Sequence, residues 1–202
     1  MIIKIYPENP NEKAIAKVAD ALRGDGVIIY PTDGVYAYGC SLSSPRAFER
    51  LRKIRDKAED SFSIMCADLS HISDYAKVDN PTFKLLKRNL PGPFTFILQA
   101  SSRLPDKLLG KRKTIGVRIA DNAIALAIVR ELGIPLITCS VKEEGGSADE
   151  YVTDPELINE ERGAQVDMII DGGYGSMLPT TLIDLSDEEP EIVRQGGGEL
   201  AL

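Results

Sequence analysis

Four short stretches combine charge or hydroxyl groups with backbone freedom. Pro31-Thr32-Asp33-Gly34-Val35-Tyr36 follows the apolar run GVIIY (26–30). A hydroxyl and backbone N–H groups at the carboxyl end of a strand suit a small polar ligand, and the same residues equally spell a proline-initiated turn with Asp33-Gly34 at its tip. Lys53 and Arg55 stand two apart in KIR. On a continuous helix they point to different sides, so they reach one anion only if the helix ends there. Arg118 lies inside the otherwise apolar TIGVRIA (114–120), where a guanidinium must be paired or must face a polar cavity. Arg194 precedes Gly196-Gly197-Gly198, a run that lets backbone approach a ligand closely. Gly110-Lys111-Arg112-Lys113 reads as a basic solvated turn.

The commonest catalytic motifs are missing. The sequence has no GxxxxGK[ST] loop, no GxGxxG after the first strand and no GxSxG. His71 is the only histidine, which leaves no Ser/His/Asp triad, and in DLSHISDY it reads as a surface or helix-cap residue. Cys40, Cys66 and Cys139 are widely spaced in apolar surroundings, a pattern that fits neither a zinc site nor a disulfide framework. No protein-bound metal site is expected.

The elements that must position these residues alternate between strand and helix patterns. IIKIY (2–6), GVIIY (26–30), FSIMC (62–66), FTFILQA (94–100), TIGVRIA (114–120), PLITCS (135–140), VDMIIDG (166–172), TTLIDL (180–185) and EIVRQ (191–195) are predicted strands. A helix from about Asn11 places Ile15, Val18, Ala19 and Leu22 on one face and ends at Gly24 and Gly26. Ser44-Pro45 opens a helix carrying Phe48, Leu51 and Ile54, and Asn80-Pro81 opens one carrying Phe83, Leu86 and Leu90. Asp154-Pro155 opens another, and residues 122–132 form a helix with Ile124, Ala127 and Ile128 inward. Strands without intervening helices near the C-terminus imply antiparallel pairing, so the expected fold is α/β with a mixed sheet and helices on its faces. No repeat, low-complexity segment or composition break divides residues 1–202, and one domain is expected. No apolar run approaches the roughly 18 residues of a membrane span, and MIIKIYPENP lacks a signal-peptide pattern, so a cytoplasmic location without membrane contact is expected.

Charge is polarised along the chain. The 24 Lys and Arg against 31 Asp and Glu give a net charge of −7. Residues 1–142 carry 22 basic and 15 acidic side chains, whereas residues 143–202 carry 2 and 16. Such asymmetry points to a polyanion or anionic ligand meeting the basic part, and a solvated face explains each basic stretch equally well.

Taken together, PTDGVYAYGC (31–40), KIR (53–55), PGPFTFIL (91–98), TIGVRIA (114–120), ITCSV (137–141), PTTLIDL (179–185) and IVRQGGG (192–198) resemble the YrdC/YciO family in order and spacing over nearly the whole chain. The resemblance implies a twisted mixed sheet around a basic concave cavity that binds nucleotide. It also implies threonylcarbamoyl-adenylate synthesis, a nucleotidyl transfer from ATP to L-threonine and bicarbonate that releases pyrophosphate for the t6A modification of tRNA. Mg²⁺ would accompany ATP.

By this resemblance Thr32 and Tyr36 belong to a loop contacting threonine and bicarbonate, with Thr95 and Arg118 lining the substrate cavity. Lys53 and Arg55 match a Lys-x-Arg pair expected on the triphosphate. Ser140, Lys142, Thr181 and Arg194 fall at nucleotide- or phosphate-binding positions. Lys53, Arg55, Arg118 and Ser140 are expected to converge on one cavity. The departures follow the YciO branch: Gly34 replaces a second threonine, Asp56 interrupts Lys-x-Arg-Pro, SFSIMC replaces a Pro-Leu continuation, and Lys142 replaces the asparagine of Ser-x-Asn. The alternative expectation is a double-stranded RNA- or tRNA-binding module without synthase activity, with the basic residues 46–118 on A-form phosphates.

Overall fold

The computed structural model describes residues 1–55, 62–109, 111, 113–142, 151–187 and 189–201. Ten strands occur among them: β1 (Ile2–Lys4), β2 (Val27–Tyr30), β3 (Ala37–Ser41), β4 (Ser63–Met65), β5 (Phe94–Gln99), β6 (Thr114–Arg118), β7 (Leu136–Ser140), β8 (Met168–Asp171), β9 (Thr181–Asp184) and β10 (Glu191–Arg194). They form one sheet in the order β1-β8-β2-β3-β7-β4-β6-β5-β9-β10. β8 runs parallel to β1 and β2, β4 to β6, and β5 to β9. The other neighbours pair antiparallel, so the sheet is mixed.

Six helices accompany it among the described residues: α1 (Glu12–Arg23), α2 (Pro45–Ile54), α3 (Leu69–Tyr75), α4 (Asn80–Asn89), α5 (Ala123–Leu132) and α6 (Pro155–Arg162). Their starts follow from short polar side chains that accept from the otherwise orphaned N–H groups of the first turn: Asn11, Ser44, Asp68, Asp79, Asn122 and Asp154 each do so. Asp79, rather than Asn80, caps α4, and Phe83 is 40% exposed on it, so the inward face of that helix is narrower than its apolar letters suggest. None of these helices is long and apolar enough to cross a membrane.

Two core layers sandwich the sheet. On one face α1 and α5 bury Ile15, Val18, Leu22, Ile124, Ile128 and Val129 against Ile28, Tyr30, Met168 and Ile170. On the other, Phe48, Leu51, Ile72 and Leu86 from α2, α3 and α4 pack on Ile64, Phe96, Val117, Ile137 and Ile183. Each fully buried large aliphatic side chain contributes roughly 1.5–3 kcal/mol of transfer free energy. Alternation along the strands then decides where polar residues go. β6 commits Ile115 and Val117 to the second layer, β7 commits Ile137, and β5 commits Phe94 and Phe96. Gly116, Arg118, Thr138, Ser140 and Thr95 are thereby left for the first face, beyond the strands on which α1 and α5 sit.

Candidate ligand-binding cavity

That polar part of the face encloses a cavity of about 130 Å3. Its floor comes from Thr138 and Ser140 on β7, Ser63 on β4, Arg118 on β6 and Thr95 on β5, and its far wall from Thr180, Leu182 and Arg194. Arg55, which caps the C-terminus of α2, closes one side together with Lys142 and Tyr151, and those two face each other across an isolated antiparallel bridge.

Strand register sets the floor. Ser63 lies between Thr138 of β7 and Gly116 of β6. A Cβ on Gly116 would overlap the Ser63 hydroxyl and stand 3.1 Å from Thr95 Cγ2. The absence of a side chain at this one position therefore makes the room into which Ser63 and Thr95 lean.

Arg118 is 6% exposed and is both paired and cavity-facing: its Nη2 donates to Asp33 Oδ1 at 2.6 Å, while its buried Nε has no partner. Asp33 Oδ2 accepts from the Asp121 N–H at 2.8 Å, which fixes the carboxylate from behind. The turn that carries Asp33 is held by Thr32, whose hydroxyl donates to the Val35 carbonyl at 2.7 Å and accepts from the Gly34 N–H at 3.1 Å. The Tyr36 hydroxyl donates to the Gly173 carbonyl at 2.7 Å and accepts from the Gly172 N–H at 3.1 Å; burial pushes it up to about 12. Neither Thr32 nor Tyr36 lines the cavity.

Most of the remaining polar groups are committed inside the protein. Thr138 Oγ1 donates to the Tyr38 carbonyl and accepts from the Tyr30 hydroxyl, both at 2.9 Å, and burial pushes Tyr30 up to about 12. Thr95 and Thr180 share a hydrogen bond of 2.8 Å. Arg194 donates from Nη2 to the Thr180 carbonyl at 2.9 Å. The hydroxyl of Thr181 turns the other way: it donates to the Gly198 carbonyl at 2.6 Å and accepts from the N–H groups of Gly196 and Gly198 at 3.0 Å each. Cys139, also in the lining, is pushed up to about 12 by burial, with Arg55 acting against it, so its thiol is uncharged at neutral pH.

Of the ten residues singled out from sequence, Arg55, Thr95, Arg118, Ser140, Lys142 and Arg194 meet at the cavity. α2 ends between Lys53 and Arg55, so the two do part from a common helical direction, and the exposed Lys53 stays outside the lining. Thr32, Tyr36 and Thr181 instead hold loops that border the site. Ser63, Thr138, Tyr151 and Thr180 join the lining without having been anticipated. Ser63 and Thr138 had a legible signature: each is a single hydroxyl between apolar neighbours in a strand, in SFSIM and LITCS. His71 lies outside the cavity, where its Nδ1 accepts from the Ala67 N–H at 3.3 Å at the start of α3. Four lining side chains are cationic, and among the described residues the lining holds no carboxylate and no imidazole.

Comparison with known proteins agrees with this architecture. A family model labelled for Sua5, YciO and YrdC and described as "Telomere recombination" matches residues 20–196. The chain is 44% identical to YciO of Escherichia coli K12 over 198 residues, 97% of this chain and 95% of that protein. It is 29% identical to a threonylcarbamoyl-AMP synthase of Vibrio vulnificus over 187 residues, 90% of this chain and 98% of that one. The crystal structure of E. coli YciO superposes with a TM-score of 0.93 at 43% identity, covering 98% of this chain and 97% of that chain. Sua5 of P. abyssi in complex with L-threonine superposes with a TM-score of 0.88 at 26% identity, covering 98% of this chain and 58% of that longer chain.

Proposed function

The chain belongs to the Sua5/YciO/YrdC family, and from that premise we propose that its cavity binds the triphosphate of ATP beside a small carboxylate-bearing partner of the L-threonine type. The observation that carries this is the lining itself, with Arg55, Arg118, Lys142 and Arg194 and neither carboxylate nor imidazole among the described residues. Such a site attracts anions and, among the described residues, offers neither carboxylate nor imidazole as a general base, while burial holds the thiol of Cys139 up to about 12. It suits a reaction whose needs are positioning and charge stabilisation.

Phosphoryl-centred chemistry has those needs. A carbamate, formed from the threonine amine and bicarbonate with loss of water, attacks the α-phosphorus of ATP through an oxygen. The bond to the β-phosphate breaks, and pyrophosphate leaves. Arg55, Lys142 and Arg194 hold the phosphates and the charge that grows on the leaving group, while Arg118, half neutralised by Asp33, takes the carboxylate. Relatives named threonylcarbamoyl-AMP synthase and a Sua5 holding L-threonine support these substrates. Magnesium arrives with the triphosphate as part of the substrate; among the described residues no group of three His, Cys, Asp or Glu side chains is placed to hold an ion.

Lys142 makes this site more anion-seeking and less able to orient a threonine. A lysine only donates, whereas an asparagine both donates and accepts. Nucleotide binding is therefore retained and threonine-dependent turnover is weak. The test is calorimetric titration with ATP, followed by pyrophosphate release assayed with threonine and bicarbonate supplied or withheld. ATP binding together with slow release that needs both co-substrates supports the proposal, and Lys142→Asn should raise the rate. Adding Gly34→Thr restores a hydroxyl, but a Cβ there stands 3.0 Å from the Leu178 carbonyl, so residues 176–178 must yield to it. A chain that binds no ATP, or releases pyrophosphate without threonine, overturns the proposal.

The RNA-binding alternative rested on the basic stretches. Those side chains are laced with acids from other elements, as in Arg50–Asp167, Arg103–Asp74, Lys107–Glu49 and Lys113–Asp106. Nothing in that pairing favours a phosphate-tracking surface over the cavity.

A further inference from the structure

The hydroxyl groups of the cavity are not equivalent. Those of Thr138, Thr95 and Thr180 are already hydrogen-bonded within the protein. The hydroxyls of Ser63, Ser140 and Tyr151 have no hydrogen-bond partner among the described residues, and that of Ser63 lies in the lining over the space left by Gly116. Register places it one pleat from Arg118: Ser63 pairs with Gly116, and Met65 with Arg118. Arg118 in turn has a buried Nε without an acceptor. Ser63 and Arg118 thus stand on one face of adjacent parallel strands in a lining that, among the described residues, holds four cations and no carboxylate, neighbours that exclude a cationic guest.

We propose that Ser63 is a ligand-contacting, specificity-determining residue, its hydroxyl donating to an oxyanion, carboxylate or phosphoryl, that Arg118 also holds. This deepens the oxyanion-site function proposed above and rests on it. A hydroxyl donating to a charged oxygen discriminates strongly, because removing it costs a hydrogen bond to an ionised group while leaving no protein partner unsatisfied. Gly116 is what gives the hydroxyl its position.

The experiment compares the parent with Ser63→Ala and the near-isosteric Ser63→Cys, using ATP, pyrophosphate and L-threonine as probes in calorimetric titration, with thermal unfolding of each unliganded chain alongside. The expected result is an unchanged unfolding temperature and an affinity loss of about tenfold in both variants. Loss toward ATP and pyrophosphate but not threonine identifies the oxyanion as phosphoryl; the converse identifies it as a carboxylate. If ATP fails to bind the parent while pyrophosphate or threonine binds and responds to Ser63→Ala, the nucleotide reading falls and the assignment of Ser63 stands. Unchanged affinity in either variant for every probe the parent binds overturns the assignment, as does a parent that binds none of them.

Discussion

The pairing of Asp33 with Arg118 sets how much of the cavity's positive charge reaches a ligand. Both side chains are almost fully enclosed at a separation of 2.6 Å, so removing the carboxylate leaves an uncompensated buried guanidinium. Asp33→Asn is expected to destabilise the unliganded protein by about 3 kcal/mol in urea denaturation. Pyrophosphate should then stabilise the variant more than it does the parent, because it supplies the missing countercharge; equal stabilisation of the two would mean that the ligand does not reach Arg118. Thr181 offers a contrast. Its hydroxyl clamps Gly196 and Gly198, so Thr181→Val should cost about 2 kcal/mol of stability, read from the same denaturation curve, with Thr181→Ser close to the parent. The letters TT at 180–181 announce two hydroxyls, but a shift of one residue in a strand exchanges its two faces. Only the register of β9 against β5, with Thr95 opposite Leu182, turns Thr181 toward the glycine run and leaves Thr180 with Thr95.

At the scale of elements, the helices that begin with a cap and a proline were legible because their signals are local. Eight of the predicted strands and IIKIY also recur close to their predicted bounds, since short apolar runs between turn residues leave few alternatives. AYGCS was not read as β3, because a strand buried on both faces with a central glycine shows neither alternation nor a β-branched run. The seven residues of α3 are too few to display a helical period. Long-range pins were likewise invisible. The Asp167 carboxylate just before β8 accepts from the Val27 N–H of β2 at 2.8 Å and from Arg50 of α2 at 2.7 Å. Partial burial works to raise its pKa, but those two donors outweigh it and hold the group below its ordinary value. A carboxyl depressed in the folded state contributes stability above its unfolded value of about 4 and loses it as the pH falls through the folded value. Asp167→Asn should therefore flatten the acid limb of the stability–pH curve, and an unchanged limb would remove Asp167 from the account.

For the whole molecule, the division of charge between residues 1–142 and 143–202 is crossed by ion pairs. Asp171 returns to Lys4 at 2.9 Å and Asp167 to Arg50, so late acids neutralise early bases. What the linear count could not anticipate is this folding back, which depends on β8 lying beside β1 and β2. The cationic groups gathered at the cavity should still make binding ionic. ATP affinity is expected to fall steadily as sodium chloride is raised, followed by titration at several ionic strengths; salt-independent affinity would count against charge as its main source.

The position of β8 also dictates when this molecule can fold. It is inserted between the first two strands, with Ile2 opposite Ile169 and Ile28 opposite Met168. A nascent chain therefore carries β1 without its partner, and β2 with one edge open, until residues 168–171 have been made. The wall containing Thr180 and Arg194 emerges later still. Closing such distant pairings is slow and leaves strand edges exposed in the interim. Synthesis halted before residue 168 should thus yield a fragment prone to aggregation, and the cavity can form only once residues 180–194 have been made.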